Sequence, residues 1–309
     1  MISIDESKCT KCGLCVTLCV RRILEEEGKT VRVTDPALCN YCGHCKAVCP
    51  TNAPSFSNLE ESEFEDLPKV EKLPQAPDLF HFLRRRRSLR LYQNKPVEVE
   101  KLKMILEAGR FAPTGGNRQL CEYVMVRGRK ILDRVVTLTL QALNEEGRKI
   151  KEAVERQRRL NEPLPDEYVA RQLYPAVWDR MAQKWKEGED QLFYHAPVLI
   201  LIHLKKGGTS TPEIDSGLAS MQMVLMAETL GLGTCFIGFL ISPLEKSGEL
   251  REALKIPDDH QVPVAFTVGY PDVKFRRLVA RNPARVKWLG NGNSSRICVV
   301  SSVERMGAG

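Results

Sequence analysis

Cys9-Thr10-Lys11-Cys12-Gly13-Leu14-Cys15-Val16-Thr17-Leu18-Cys19 opens the chain. Cys39-Asn40-Tyr41-Cys42-Gly43-His44-Cys45-Lys46-Ala47-Val48-Cys49-Pro50 then repeats its spacing. Three thiolates at Cys-x-x-Cys-x-x-Cys wrap one 4Fe–4S cube, and the fourth cysteine, too far round the turn to close it, reaches across to a second cube. The spacing therefore assigns Cys9, Cys12, Cys15 and Cys49 to one cluster, and Cys39, Cys42, Cys45 and Cys19 to the other. Structural zinc uses paired Cys-x-x-Cys units rather than triplets with a trailing fourth cysteine. A disulfide framework needs a secreted context, and Met1-Ile2-Ser3-Ile4-Asp5-Glu6-Ser7-Lys8 has no basic-then-apolar export pattern.

On this spacing, residues 1–57 resemble a bacterial-type two-cluster ferredoxin, with Val20 after Cys19 in place of the proline that follows Cys49. The chain's 309 residues leave room for a larger second domain. A hydrophobic content of 43% supports a sizeable core, and no apolar run reaches the length of a membrane span. Eight of the eleven cysteines have metal-ligand spacing, which fits a reducing cytoplasm. The net charge of +7 is modest and suits anionic ligands or an acidic redox partner.

Residues 58–77 read as a linker: Asn58 to Asp66 is acidic, and Pro68, Pro74 and Pro77 follow at short intervals. Residues 78–309 then form the second domain. An amphipathic helix from Asp78 ends in Arg84-Arg85-Arg86-Arg87, and a second helix spans Pro96–Gly109. Ala112-Pro113-Thr114-Gly115-Gly116-Asn117-Arg118-Gln119 is a loop, and Glu122–Arg127 a buried strand. Residues 144–190 are nearly half charged, so they predict solvated helices broken at Pro163 and Pro165, a lid whose packing stripe is Tyr174, Trp178 and Trp185. Ala196–His203 is a continuous apolar run, a central strand. Ile214–Leu230 is apolar nearly all round, which places it in a core or between subunits. Gly231–Leu240 turns into a strand, Ser242-Pro243-Leu244-Glu245 reads as a capping box, and Val262–Gly269 is a further strand. From about residue 270 the tail is basic and irregular.

Taken in order, Arg86-Arg87-Ser88-Leu89-Arg90, the loop 112–119, Gly231-Leu232-Gly233-Thr234-Cys235-Phe236-Ile237-Gly238 and Gly269-Tyr270-Pro271 resemble the nitroreductase superfamily of FMN enzymes over residues 78–290. The resemblance implies an α+β fold with a mainly antiparallel sheet flanked by helices. It also implies FMN as cofactor and a homodimer with the flavin between subunits. By the same resemblance Arg86, Ser88 and Arg90 take the phosphate with Arg87 beside them, and Arg281 adds a late contact, Arg277 being its substitute. Guanidinium forks and a hydroxyl are suited to phosphate oxygens. Pro113, Thr114 and Gly115 bring backbone to the ring, Asn117 donates and accepts at the pyrimidine edge, and a backbone N–H at Ile237-Gly238 faces N5. Cys121 and Cys235 read as small buried apolar residues. The arginine run lacks the aromatic-interleaved surface of a nucleic-acid binder.

Clusters pass single electrons and a flavin holds two. The combination predicts an iron–sulfur flavoprotein in which clusters feed FMN, and FMN delivers a hydride equivalent to a small electron-poor acceptor: a nitroaromatic, quinone or enone. The alternatives are an NAD(P)H-dependent nitroreductase and a relay to a partner protein. An external donor protein or NAD(P)H supplies the electrons, and no nucleic acid or membrane partner is expected. No side-chain acid or base is singled out as catalytic.

Overall fold

The repeated cysteine spacing becomes a repeated backbone. The computed structural model describes residues 1–67, 73–287 and the strand at 297–300. The N-terminal part runs β1 (Ile2–Ile4), α1 (Leu14–Leu18), β2 (Leu24–Glu27), β3 (Thr30–Val33), α2 (His44–Ala47) and β4 (Pro54–Phe56). Lys11 and Tyr41 take the left-handed conformation at matching places in the two loops, with φ of 54° and 52°. Gly13 and Gly43 follow at 73° each, a value that glycine alone adopts without cost. β1 pairs antiparallel with β4, setting Ile2 against Phe56, and β2 pairs with β3. Ile2, Ile23, Leu24, Val31 and Phe56 make a small core that is completed by the cysteines themselves.

The acidic start of the expected linker is packed on this unit. Phe64 stacks on Phe56 with centroids 6.2 Å apart. Lys46 is only 4% exposed; it donates to Pro54 O at 3.0 Å and pairs with Glu61 at 2.5 Å. Pro68 lies outside the described residues.

The second part continues with α3 (Ala76–Arg85), α4 (Val99–Arg110), β5 (Glu122–Arg127), α5 (Arg129–Leu160), α6 (Asp166–Val169), α7 (Tyr174–Lys186), β6 (Val198–Lys205), α8 (Pro212–Thr229), β7 (Gly233–Phe236), α9 (Ile241–Lys246), α10 (Gly248–Leu254), β8 (His260–Gly269), β9 (Ala284–Lys287) and β10 (Ile297–Val300). The main sheet has the order β5-β6-β8-β7 and is antiparallel throughout. β6 is buried on both faces, and its side chains alternate between two cores. Ile200 and Ile202 face α4 and α8 with Ile105, Met223 and Phe266. Leu199 and Leu201 face α5 and α7 with Val135, Leu143 and Trp178. The molecule is thus α+β, a helix–sheet–helix sandwich behind a ferredoxin-like unit.

Four local expectations change. β5 is an edge strand in which only Val126 is buried, because it pairs on one side alone. The charged stretch 144–190 is not simply a solvated lid: α5 begins well before it, and Trp178 (1% exposed) and Met181 belong to the main core. Its charges sit on the outer faces, except for Glu146, buried between Arg171 (3.0 Å) and Lys246 (2.6 Å), and Asp190, buried where it accepts from the N–H groups of Leu192, Phe193 and His195. Ser242 does not cap a helix, since α9 starts at Ile241 directly after a 3₁₀ turn at Gly238–Leu240; Ser247 caps α10 instead, accepting from Leu250 N–H. The tail is not wholly irregular, because β9 and β10 form an antiparallel pair.

Candidate functional site

Cys9, Cys12, Cys15 and Cys49 line one cavity, with Val31 and Ala53. Cys19, Cys39, Cys42 and Cys45 line another, with Ile23 and Phe56. The fourth cysteine of each motif thus lies with the other motif's triplet. Burial pushes the Cys45 thiol up to about 12 and raises Cys15 as well. At Cys49 burial acts the same way, but the Ala53 N–H, 3.3 Å from its sulfur, and Thr51 outweigh it and bring the thiol down. Four sulfurs converging on an apolar hollow form a donor set for a soft, thiolate-bound centre of the iron–sulfur kind.

The arginine segment leaves α3 extended and runs along the start of β7. Leu89 N–H donates to Thr234 O at 2.8 Å, and Ser88 bridges Thr234 in parallel. Gly233 permits this approach, since a Cβ there would stand 2.5 Å from Leu89 Cδ2. Arg86 is half-buried, and its Nη1 has no partner among the described residues. Burial lowers its pKa, and Arg87 and Arg281 lower it further. Burial raises the Cys235 thiol, and the neighbouring Arg90 and Ser88 act against that rise. Arg277 lies with Arg85 and Arg87 around a cavity of about 410 Å³. An orphaned guanidinium crowded by like charges fits a dianionic phosphate, which would supply the missing acceptors.

The loop after α4 is held by a residue that sequence reading passed over. Asp215, in the first turn of α8 and 3% exposed, accepts from Gly115 N–H at 2.9 Å and from the hydroxyls of Thr209 and Thr211, each at 3.2 Å. Thr114 Oγ1 accepts from Gln119 N–H at 3.0 Å, so this oxygen fastens the loop. Gly116 and Asn117 turn left-handed there. Asn117 Nδ2 donates to Asn40 O at 2.9 Å and Tyr41 O at 3.0 Å, inside the second cysteine motif. Both amide hydrogens are thereby engaged, and only Oδ1 remains for a ring, a correction to the expected two-way pairing. Pro113 is exposed beside it. Within the Ile237-Gly238 pair, the Ile237 N–H donates to Ala265 O at 2.8 Å, and among the described residues only the Gly238 amide lies outside such a bond. Cys121 is pushed up to about 11 by burial, as suits a packing residue.

The two halves of the expected flavin site lie at opposite ends of α8. Asp215, at its start, holds the 114–119 loop. Glu228, at its end, accepts from Arg85 Nε at 2.8 Å, next to the arginine segment. Between those residues the helix rises about 20 Å, more than separates an FMN phosphate from the pyrimidine edge of its own ring.

A helix-flanked antiparallel sheet with an anion cradle, preceded by a doubled cysteine unit, defines a redox enzyme of the flavoprotein class. The nitroreductase family profile matches residues 83–270, and a 4Fe–4S binding domain matches residues 32–55. The chain belongs to the nitroreductase family and is an FMN-dependent oxidoreductase with an N-terminal iron–sulfur domain. It is 26% identical over 213 residues to the nitrobenzene nitroreductase of Ectopseudomonas oleovorans, covering 65% of this chain and 89% of that one. Its N-terminal part is 44% identical over 54 residues to an uncharacterised ferredoxin of Methanocaldococcus jannaschii, covering 17% of this chain and 87% of the relative. A nitroreductase with bound FMN from Desulfitobacterium hafniense superposes with a TM-score of 0.49 at 19% identity, covering 65% of this chain and 93% of that one. Among the described residues no helix is long and apolar enough to cross a membrane.

Proposed function

We propose that this chain is a cytoplasmic, homodimeric iron–sulfur flavoprotein with two 4Fe–4S clusters that feed one FMN per chain, and that it reduces small electron-poor organic molecules of the nitroaromatic, quinone or enone type. When bound, the clusters supply one-electron steps and FMN supplies a two-electron hydride delivery. The observation that carries this reading is the pair of cavities, each lined by four cysteines, the second of them joined to the FMN loop through Asn117.

The chain's own residues divide the work. Arg86, Ser88 and Arg90, with Arg87 and Arg281, neutralise and grip the phosphate. Pro113, Thr114 and Gly115 shape the loop under the ring, and Asn117 Oδ1 accepts from a ring N–H. The Gly238 amide is the donor available near N5, where it favours negative charge on the reduced ring. The nitrobenzene-reducing relative supports the nitroaromatic class. The 20 Å between the half-sites supports the dimer, in which a second chain brings the complementary half.

Oxygen-free purification followed by iron, sulfide and flavin assays tests the cofactors: about eight irons and about one FMN per chain are expected. A preparation containing zinc, or no flavin, overturns the reading. Anaerobic mixing with NADH or NADPH tests the donor. Flavin bleaching is expected only with a one-electron donor, and prompt bleaching by a nicotinamide overturns cluster feeding.

A further inference from the structure

Asn117 joins two sites that are 77 residues apart in sequence. Its Nδ2 donates to the carbonyls of Asn40 and Tyr41, which lie between Cys39 and Cys42. Tyr41 is left-handed there. A second tie lies alongside: Arg110, at the end of α4, forks onto Glu63 at 2.6 and 3.2 Å. Glu63 belongs to the acidic segment that the Lys46–Glu61 pair and the Phe64 stack fasten to the ferredoxin-like unit. Between the two ties is a cavity of about 480 Å³ that reaches Cys42, Phe64, Pro113 and Gln119. Among the described residues the equivalent loop of the first motif makes no such hydrogen bond: Lys11 turns back to Gly28 O at 2.8 Å and to Glu26. The second-motif cysteines are therefore the ones docked on the flavin loop, and the docking is within one chain.

The phosphate cradle of that same chain is about 20 Å away along α8. The flavin over the 114–119 loop must then take its phosphate grip from the other chain. We propose that the Cys19/Cys39/Cys42/Cys45 site of each chain serves the flavin whose phosphate is held by the Arg86–Arg90 segment of its partner, with Asn117 as the positioning residue that clamps the two, so that electron delivery crosses the dimer. This inference rests on the proposed function and adds to it the order of the clusters and the chain each one serves. One electron leaves the second-motif site for each one the flavin gains. Two transfers and the accompanying protons from water complete the flavin's reduction, and a low-potential one-electron donor restores the cluster.

Mixed dimers separate this from delivery within one chain. In the first, one chain carries Cys42→Ser with Cys45→Ser and the other Arg86→Ala with Arg90→Ala. In the second, a wild-type chain is paired with one carrying all four changes. Each is purified through two tags, assayed for iron and FMN, and mixed rapidly with reduced methyl viologen while flavin absorbance is followed. Both dimers are expected to hold half the wild-type FMN. The first should reduce it at the wild-type rate per flavin, and the second only at the background rate of a dimer lacking both second-motif sites. The opposite pattern, or equal rates, overturns the inference and leaves the proposed function standing. A wild-type protein without iron or FMN overturns both. Asn117→Ala supplies a version that disturbs no cysteine: iron content should stay at the wild-type level, loss of the Oδ1 contact to the ring should show in FMN content, and the reduction rate per flavin still bound should fall about tenfold for the two hydrogen bonds lost to Asn40 and Tyr41. An unchanged rate in that variant rejects the clamp.

Discussion

Gly233 decides how closely the Arg86–Arg90 segment, the proposed phosphate grip, lies against the sheet. A methyl there would meet Leu89 Cδ2 at 2.5 Å and Leu89 Cβ at 3.1 Å, so the Leu89 side chain stands in its way from tip to base. Gly233→Ala should cost about 1–3 kcal/mol and pull Ser88 and Arg90 out of register; the Tm in thermal unfolding and the FMN retained after gel filtration should fall together. A second residue-scale effect comes from the buried pair His203 and His260, whose Nδ1 atoms are 2.8 Å apart. Burial holds the His203 imidazole below its ordinary 6.5; Glu122 opposes this, while His260 and Arg251 add to it. Asp259 also faces the pair, 3.9 Å from His260 Nε2. Because the folded chain resists this proton and the unfolded chain accepts it, the contribution to stability is whole above pH 6.5 and is lost as pH falls through the lower folded value. His203→Asn should flatten that slope, and urea midpoints taken at about pH 7.5 and about pH 5.5 would read it. A slope that persists in the variant assigns the effect to other groups.

At the scale of elements, α8 does the most. Its inner face packs Ala219, Met223, Val224 and Ala227 into the core, and its first turn carries Asp215. The run of apolar residues made the helix legible in the sequence, but not the job of its single buried acid. An aspartate in a first turn reads as a favourable dipole partner, and only the fold brings Gly115 N–H to it from a hundred residues away. Asp215→Ala should leave that N–H and the Thr209 and Thr211 hydroxyls short of an acceptor, at about 1–3 kcal/mol. It should also loosen the loop, seen as faster amide exchange at residues 115–119 and weaker FMN binding. Elsewhere the legibility of elements followed how local their cause was. The cysteine loops and β6 were readable because spacing and a continuous apolar run are local signals. The start of α9 was not, since the preceding 3₁₀ turn overrides the Ser242-Pro243 pattern. The β9–β10 pair was not, because each strand is four residues long and finds its partner across an intervening segment.

For the whole molecule, the sequence motifs supplied the pieces of the proposed flavin site but not their separation, which is fixed by the length of one helix and has no local signature. In the proposed arrangement that separation ties cofactor binding to association. Ile214, Leu218 and Met221 lie at i, i+4 and i+7 on the outer face of α8 and are 59%, 41% and 37% exposed in the single chain. The stripe runs along the same helix whose two ends carry the two proposed half-sites, so a second chain packed on it can bring its arginine segment to the first chain's loop. A carboxylate placed in the middle of that stripe would enter the interface without a partner, at a cost of several kcal/mol, and two-fold symmetry would count it twice. Leu218→Glu should therefore sediment as a monomer. The cluster sites draw all their ligands from one chain, so iron content should hold at the wild-type level. FMN should be lost, because each monomer keeps two half-sites too far apart to share one cofactor. A monomeric variant that still binds FMN tightly would mean that one chain completes the site alone, and the cross-dimer route would fall with it.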